Sequence, residues 1–420
     1  MNITKDDTIT KIISLKTGVV EYIILPLNIS ITRVIGFSFT PQIIFGFGSL
    51  NRIGVLSLFL KAKTAFIVTD KEIEKLGFSE KIQKYLEKSG IKSTVFNEVE
   101  SNPSEETVMH GGEKLKASGA DIVISVGGGS VIDAGKIIRL LSKQGGKPSD
   151  YDATKCTIMS IHETLAPQIS IPTTSGTGSE VSIVAMVTKH DDKKEKITIL
   201  GYPLMSSIAL VDPQLTLSCP QKLTAWCGMD AMTHAIEAFI SLKTNPVADM
   251  LALQAMALLY NYIKKAYSNG QDIISRINMS LASMVAGIAF NQKSVGLVHA
   301  CSHQLSSQCN LHHGLANAMM LPHVLKVNKK ASGAKYQTMA TAFGIDILKL
   351  SESEAIEKFI LEIENLNKEL GIPGKLSECG VKESDIPIMA ANAITDISAI
   401  TNPLQPITRE LVEDLYKAVL

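Results

Sequence analysis

From Lys63 onward, short apolar runs and amphipathic stretches alternate along the chain. TAFIVTD (64–70) is an apolar run ending in Asp, and KEIEKLGFSEKIQKYLEKSG behind it carries helical spacing. KSTVFNEV (92–99) is a second strand, ETVMHGGEKLKASG (106–119) a helix, and DIVISVGGGS (121–130) a third strand running into glycines. VIDAGKIIRLLS reads as the next helix, while QISIPTTSGTGSE (168–180) and SSIALVDP (206–213) add two strands. Strands alternating with helices predict an α/β fold with a mostly parallel sheet covered on both faces. After Pro220 the strand signals vanish. LTAWCGMDAMTHAIEAFIS, ADMLALQAMALLYNYIKKAYS and ISRINMSLASMVAGIAF all place apolar residues at helical spacing. SESEAIEKFILEIENLNKELG is an amphipathic helix with a stop at Gly371. The change of pattern divides the chain into an N-terminal extension (1–40), an α/β domain (41–219) and an all-helical domain (220–420).

The chain of 420 residues is 45% hydrophobic and 20% charged, which suits a globular protein of two or three domains with a sizeable core. Lys plus Arg and Asp plus Glu are both 41, so the formal net charge is zero. That balance argues against a nucleic-acid or anionic-membrane binder. Six scattered cysteines form no C-x-x-C pair and fit a reducing, cytoplasmic setting. The segment Ile9–Phe39 is apolar, but Lys11, Lys16, Glu21 and Arg33 interrupt it, so it matches neither a signal peptide nor a spanning helix. The uncharged stretch Ile277–Gln292 reads as a buried core helix. GVVEYIILPLNISITRVIGFSF, near the N-terminus, is costly to leave in water and predicts a homodimer or larger even assembly.

Two glycine-rich loops follow strands. In VGGGSVIDAGK (126–136), bare N–H groups at a helix start can cradle phosphate, helped by the helix dipole. The loop is not G-x-G-x-x-G, because Ile132 stands at the last glycine position, and it is not a P-loop, because Ile137 follows Lys136. PTTSGTGSE (172–180) supplies hydroxyls from Thr173, Thr174, Ser175 and Thr177. One such loop is usually a turn or a cap; two in one α/β domain suggest a pyrophosphate held between them. Asp70, ending the first of these strands, can accept the ribose hydroxyls of an adenosine or simply cap the next helix.

The nine histidines are unevenly placed: His299, His303, His312, His313 and His323 fall within twenty-five residues, with His234 upstream. Asp230 and His234 are four apart, as are His299 and His303, so each pair shares a helix face. A single histidine here would be an ordinary core residue. A D-x-x-x-H helix, an H-x-x-x-H helix and a further His in one apolar region point to a divalent-ion site of imidazoles and one carboxylate, suited to Fe(II) or Zn rather than Ca or Mg.

At these motifs the chain resembles the iron-dependent (group III) alcohol dehydrogenases. The shared segments are PQIIFGFGSLNRIG (41–54), VTD (68–70), SNPS (101–104), GGGSVIDAGK (127–136), PTTSGTGSE (172–180), GMDAMTHAIEAF (228–239), GLVHACSHQL (296–305) and HHGLANAMMLPHV (312–324). The resemblance implies a dehydroquinate synthase-like fold, with a dinucleotide-binding domain beside an all-helical metal domain. It implies metal ligands Asp230, His234, His299 and His313, and a catalytic role for His303 on the substrate side. It implies cofactor contacts from Asp70, Asn102, Gly128, Gly129, Ser130, Thr173, Thr174, Lys196 and Leu215. The chain departs from the family at His312, where Pro is common, at NQKS (291–294), and in about forty extra residues before Phe39.

The reaction so implied is reversible hydride transfer between an alcohol and an aldehyde or ketone, with NAD as cofactor and a divalent metal, Fe(II) first and Zn second, binding the substrate oxygen. The carboxylate of Asp70 favours NAD over NADP. His303 would relay the proton. The rivals are a metal-dependent lyase or polyol dehydrogenase of the related dehydroquinate synthase and glycerol dehydrogenase branches, and a non-catalytic binding protein.

Overall fold

In the computed structural model, which describes residues 40–189 and 196–420, the sheet-forming half opens with β1 (Gln42–Phe45), α1 (Ile53–Phe59) and β2 (Thr64–Val68). It continues through α2 (Lys71–Lys75), α3 (Phe78–Lys88), β3 (Lys92–Phe96), α4 (Glu105–Ser118), β4 (Ile122–Gly127) and α5 (Gly129–Gln144). Then come β5 (Gln168–Pro172), β6 (Val184–Thr188), β7 (Lys196–Leu200) and β8 (Ile208–Val211). All five strand runs read from the sequence are strands, and together with β1 they pair in parallel in the order β1-β8-β5-β4-β2-β3. The three strands not read as such are the edge strand β1 and both strands of the antiparallel hairpin β6–β7. The helix expected over 71–90 is broken into α2 and α3 at Gly77, whose φ of 77° is a left-handed conformation that glycine adopts without penalty.

Alternation along the central strands sorts their side chains to two faces. Phe66, Val68 and Val123 pack with α4 and α5, while Ala65, Ile67, Ile122 and Ile124 pack on the opposite side with α1 and α3. Chain order runs outward from β2 to β3, then returns to β4 on the other side of β2. The carboxyl ends of β2 and β4 therefore form the switch point where open α/β sheets bind ligands. Asp70 and Gly127–Gly129 stand at those two ends.

The second half is helical: α6 (Gln221–Ile240), α7 (Pro246–Ser268), α8 (Ile273–Lys293), α9 (Leu297–Gln308), α10 (His313–Ala342, kinked at Ser332), α11 (Glu352–Glu369), α12 (Ile386–Ala393) and α13 (Arg409–Val419). Ser351 and Glu354 form a reciprocal cap at the start of α11, and Gly371 follows its end at φ 67°. Helix α8, which contains the uncharged stretch 277–292, is long and apolar enough to cross a membrane by composition, but its most apolar window is 56% buried against the rest of the fold. Ala209 and Val211 of β8 belong to the same core as α6–α13, so the two halves share apolar packing rather than meeting at a wet interface. The apolar stretch offered above as an assembly surface lies outside the described residues.

Candidate active site

The first glycine loop meets the second. Gly128 is the N-cap of α5, and a Cβ on Gly129 would lie 2.6 Å from Thr177 Cγ2, so only glycine lets the loops touch there. Thr173 N–H donates to the Gly127 carbonyl at 3.0 Å, while Thr173 Oγ1 is buried without a partner. Ser130 Oγ donates to the Ser101 carbonyl at 2.5 Å, and Lys196 Nζ donates to Asn102 Oδ1 at 2.7 Å. Burial pulls the Lys196 ammonium down to about 8. Asp70 caps α2, Oδ1 accepting from Ile73 N–H at 2.8 Å, and remains half-buried at the mouth of the switch point. Eight of the nine expected cofactor residues thus gather around the carboxyl edge of the sheet. Leu215 differs: it is buried in the apolar core behind that edge. Lys136 also turns inward, donating to Ser179 Oγ, Ser182 Oγ and the Val184 carbonyl, so it braces the second loop and β6.

That second loop also forms the seam with the helical half. Ser175 Oγ pairs with Ser280 Oγ of α8 at 3.0 Å, and a Cβ on Gly176 would stand 2.8 Å from Cys227 Cβ of α6. Gly178, at φ 61°, approaches Gly287 of α8 so closely that a Cβ would lie 2.5 Å from its Cα. The polar loop is therefore pressed between the carboxyl edge of the sheet and the helices that carry the histidines.

On those helices, Asp230 of α6, His299 of α9 and His313 at the start of α10 bring ligand atoms within 4.8 Å of one another. From Asp230 Oδ1 the Nε2 atoms of His313, His234 and His299 lie at 3.7, 3.8 and 3.9 Å. Two bonds of about 2 Å meeting at one ion span such separations. His234 stands outside the mutually close triad; its ring stacks on His299 and on Phe290, each at 4.6 Å, and its Nδ1 is buried without a partner. His312 points elsewhere, its ring 5.0 Å from that of Trp226. Burial, reinforced by neighbouring histidines, holds the His299 and His313 imidazoles well below their ordinary range, so both are neutral near pH 7.

The occupant of the triad's centre tests whether a cation fits. The Asn317 amide donates to Asp230 Oδ1 at 2.7 Å and lies 3.2 Å from Nε2 of both His299 and His313. Lone pairs from a carboxylate and two neutral imidazoles converge on an electropositive group, which is the environment a divalent ion needs. Two of the other ring nitrogens are held by carboxylates. His299 Nδ1 meets Glu237 Oε2 at 2.5 Å, and His303 Nδ1 meets Asp396 Oδ2 at 2.8 Å. Burial alone would raise the Asp396 carboxyl, but His303 and Ser398 outweigh it and keep Asp396 below the usual carboxylate range. Asn317, Glu237 and Asp396 were missed from sequence. The first two stand at helical spacing from His313 and His234; Asp396 carries no local signal.

Residues 40–213 match the family model for iron-containing alcohol dehydrogenase, and residues 224–420 match the C-terminal model of the Fe-containing alcohol dehydrogenase family. The NAD-dependent methanol dehydrogenase of Bacillus methanolicus is 35% identical over 383 residues, covering 91% of this chain and 99% of that protein. The 1,3-propanediol dehydrogenase of Klebsiella pneumoniae is 38% identical over 361 residues, covering 86% and 92%. A solved 1,3-propanediol oxidoreductase superposes with a TM-score of 0.88 at 35% identity, covering 92% of this chain and all of that one. The chain belongs to the iron-containing alcohol dehydrogenase family.

Within this family of iron-containing alcohol dehydrogenases the chain is an oxidoreductase that moves hydride between an alcohol or aldehyde and NAD with the aid of a divalent metal. The lyase alternative is not favoured.

Proposed function

We propose that Asp230, His234, His299 and His313 hold the divalent ion, with Fe(II) preferred and Zn as the alternative, and that the dinucleotide lies across the switch point between the two glycine loops. The observation that carries this reading is the convergence of Asp230, His299 and His313 on one point beside the seam loop. When bound, the ion supplies Lewis acidity toward a substrate oxygen and the nicotinamide takes or gives the hydride. The chain's own residues do the rest. Asp70 receives the adenosine ribose, Gly128 and Gly129 leave backbone N–H groups open to phosphate, and Ser130, Thr173, Thr174, Asn102 and Lys196 line the remaining edge. His303 is the proton-handling residue: Asp396 accepts from Nδ1–H, which leaves Nε2 as the nitrogen that exchanges a proton with the substrate side. The relatives named for methanol and 1,3-propanediol support short alcohols and diols as the first substrates to try.

Metal analysis of the purified enzyme, combined with reduced-nicotinamide absorbance over a panel of short alcohols, diols and hydroxy acids, tests the reading. Stoichiometric metal with turnover on short alcohols is expected. Full metal loading with no nicotinamide reduction on any member of the panel would overturn it.

The apolar segment 18–39 supports a homodimer or larger even assembly, and a clean monomer by light scattering at micromolar concentration would reject it. Six free cysteines support a reducing cytoplasmic setting.

A further inference from the structure

We propose that Glu237 is a positioning residue for the metal centre: one carboxylate that both orients His299 and caps the helix on which His299 rides. The proposal rests on His299 being a metal ligand. Glu237 lies on α6, three residues past His234 and seven past Asp230, so it shares their helix face. It is buried, and three donors converge on it. Oε1 accepts from Val298 N–H at 2.7 Å; Oε2 accepts from Gly296 N–H at 2.9 Å and meets His299 Nδ1 at 2.5 Å. Gly296 and Val298 are the N-cap and second residue of α9, whose first N–H groups have no partner within the helix. Asn402 completes the cap, accepting from Leu297 N–H at 3.2 Å and exchanging hydrogen bonds with Asn328. Helix α9 thus has no capping side chain of its own and borrows a carboxylate from the helix that carries Asp230 and His234.

The chemistry follows from the acceptor count. A carboxylate has lone pairs and no protons, so it satisfies two backbone N–H groups and an imidazole N–H together. The proton is then held on Nδ1, and Nε2 keeps its lone pair toward Asp230 and His313. Glutamine offers one oxygen and an NH2, so one of the three donors must face another donor. Gly296 is fitted to this arrangement. A Cβ there would sit 2.9 Å from Glu237 Oε1 and 3.1 Å from Asn402 Oδ1.

The test measures Zn2+ affinity by chelator competition, and melting of the metal-free protein, for wild type, Glu237→Gln, Asn402→Ala and His299→Ala. Glu237→Gln is expected to weaken Zn2+ binding by about 10–100-fold, the usual cost of losing such a partner. Asn402→Ala, which damages the cap without touching His299, is expected to lower melting while holding affinity within about threefold of wild type, well short of the second-partner loss. Gly296→Ala is a milder push on the same carboxylate and carries the test if Glu237→Gln does not fold; a loss of affinity larger than that of Asn402→Ala is expected. If Glu237→Gln or Gly296→Ala loses no more affinity than Asn402→Ala while His299→Ala loses it, Glu237 is a cap only and the proposal fails. If His299→Ala binds Zn2+ as wild type does, the ligand assignment itself is wrong.

Discussion

Asp70 ends β2 and gives one oxygen to the Ile73 N–H, which leaves the other for a ligand at the switch point. Its negative charge repels a 2′-phosphate, so Asp70→Gly is expected to raise NADPH use relative to NADH, read as the ratio of kcat/KM values. Wild-type enzyme that already uses both equally would sink the assignment. His299 and His303 share a helix face but answer to different carboxylates, Glu237 and Asp396. His299→Ala is expected to lose metal and activity together. His303→Ala is expected to keep near-stoichiometric metal and lose about 10²–10⁴ in turnover. Metal content, melting temperature and turnover on the purified variants separate the two, since a purely packing role for His303 predicts lower melting with little kinetic change. The i, i+4 pairs were legible because a helix maps spacing directly onto a face. The His303–Asp396 pair was not, because its partners lie 93 residues apart and meet only through the packing of the C-terminal segment.

Among the elements, the second glycine loop carries most of the coupling between halves. The sequence reading of that loop rests on its hydroxyls; in the structure its glycines Gly176 and Gly178 make room for α6 and α8. Gly178→Val would need both a left-handed backbone and space that Gly287 occupies, so overpacking alone is expected to cost about 1–3 kcal/mol. A lower urea midpoint with unchanged slope checks this; an unchanged midpoint would mean the seam is looser than its geometry. The hairpin β6–β7 was only partly legible: KITIL alternates polar and apolar residues over its first four positions, VAMVT does not, and the alternation of half-buried and buried positions in both strands came with the structure. The break at Gly77 was less legible, because a helical pattern continues across it on both sides.

For the molecule as a whole, the proposed ligand residues come from three helices, so an ion would tie α6, α9 and α10 together. Ligands that bind only the folded state stabilise it, by about 2.7 kcal/mol at a free concentration one hundred times Kd. Chelation is therefore expected to lower the melting temperature of the wild type, re-addition of Fe(II) or Zn2+ to restore it, and His299→Ala to show no such shift. Identical melting before and after verified metal removal would show that the site does not bridge the helices.

The chain's own pattern determined the class of fold, the change from alternating to all-helical near residue 219, and the residue types at the site, because periodicity and glycine placement are local properties. Which strands neighbour one another, and hence that Asp70 and Gly128 flank one switch point, came only with tertiary structure. The sequence already favours His313 over His312; what the structure adds is the direction of each ring, His313 toward Asp230 and His312 toward Trp226. Spacing cannot convey it, because two adjacent residues at a helix start differ by about 100° in direction, and only packing against Asp230 and Trp226 says which one turns inward.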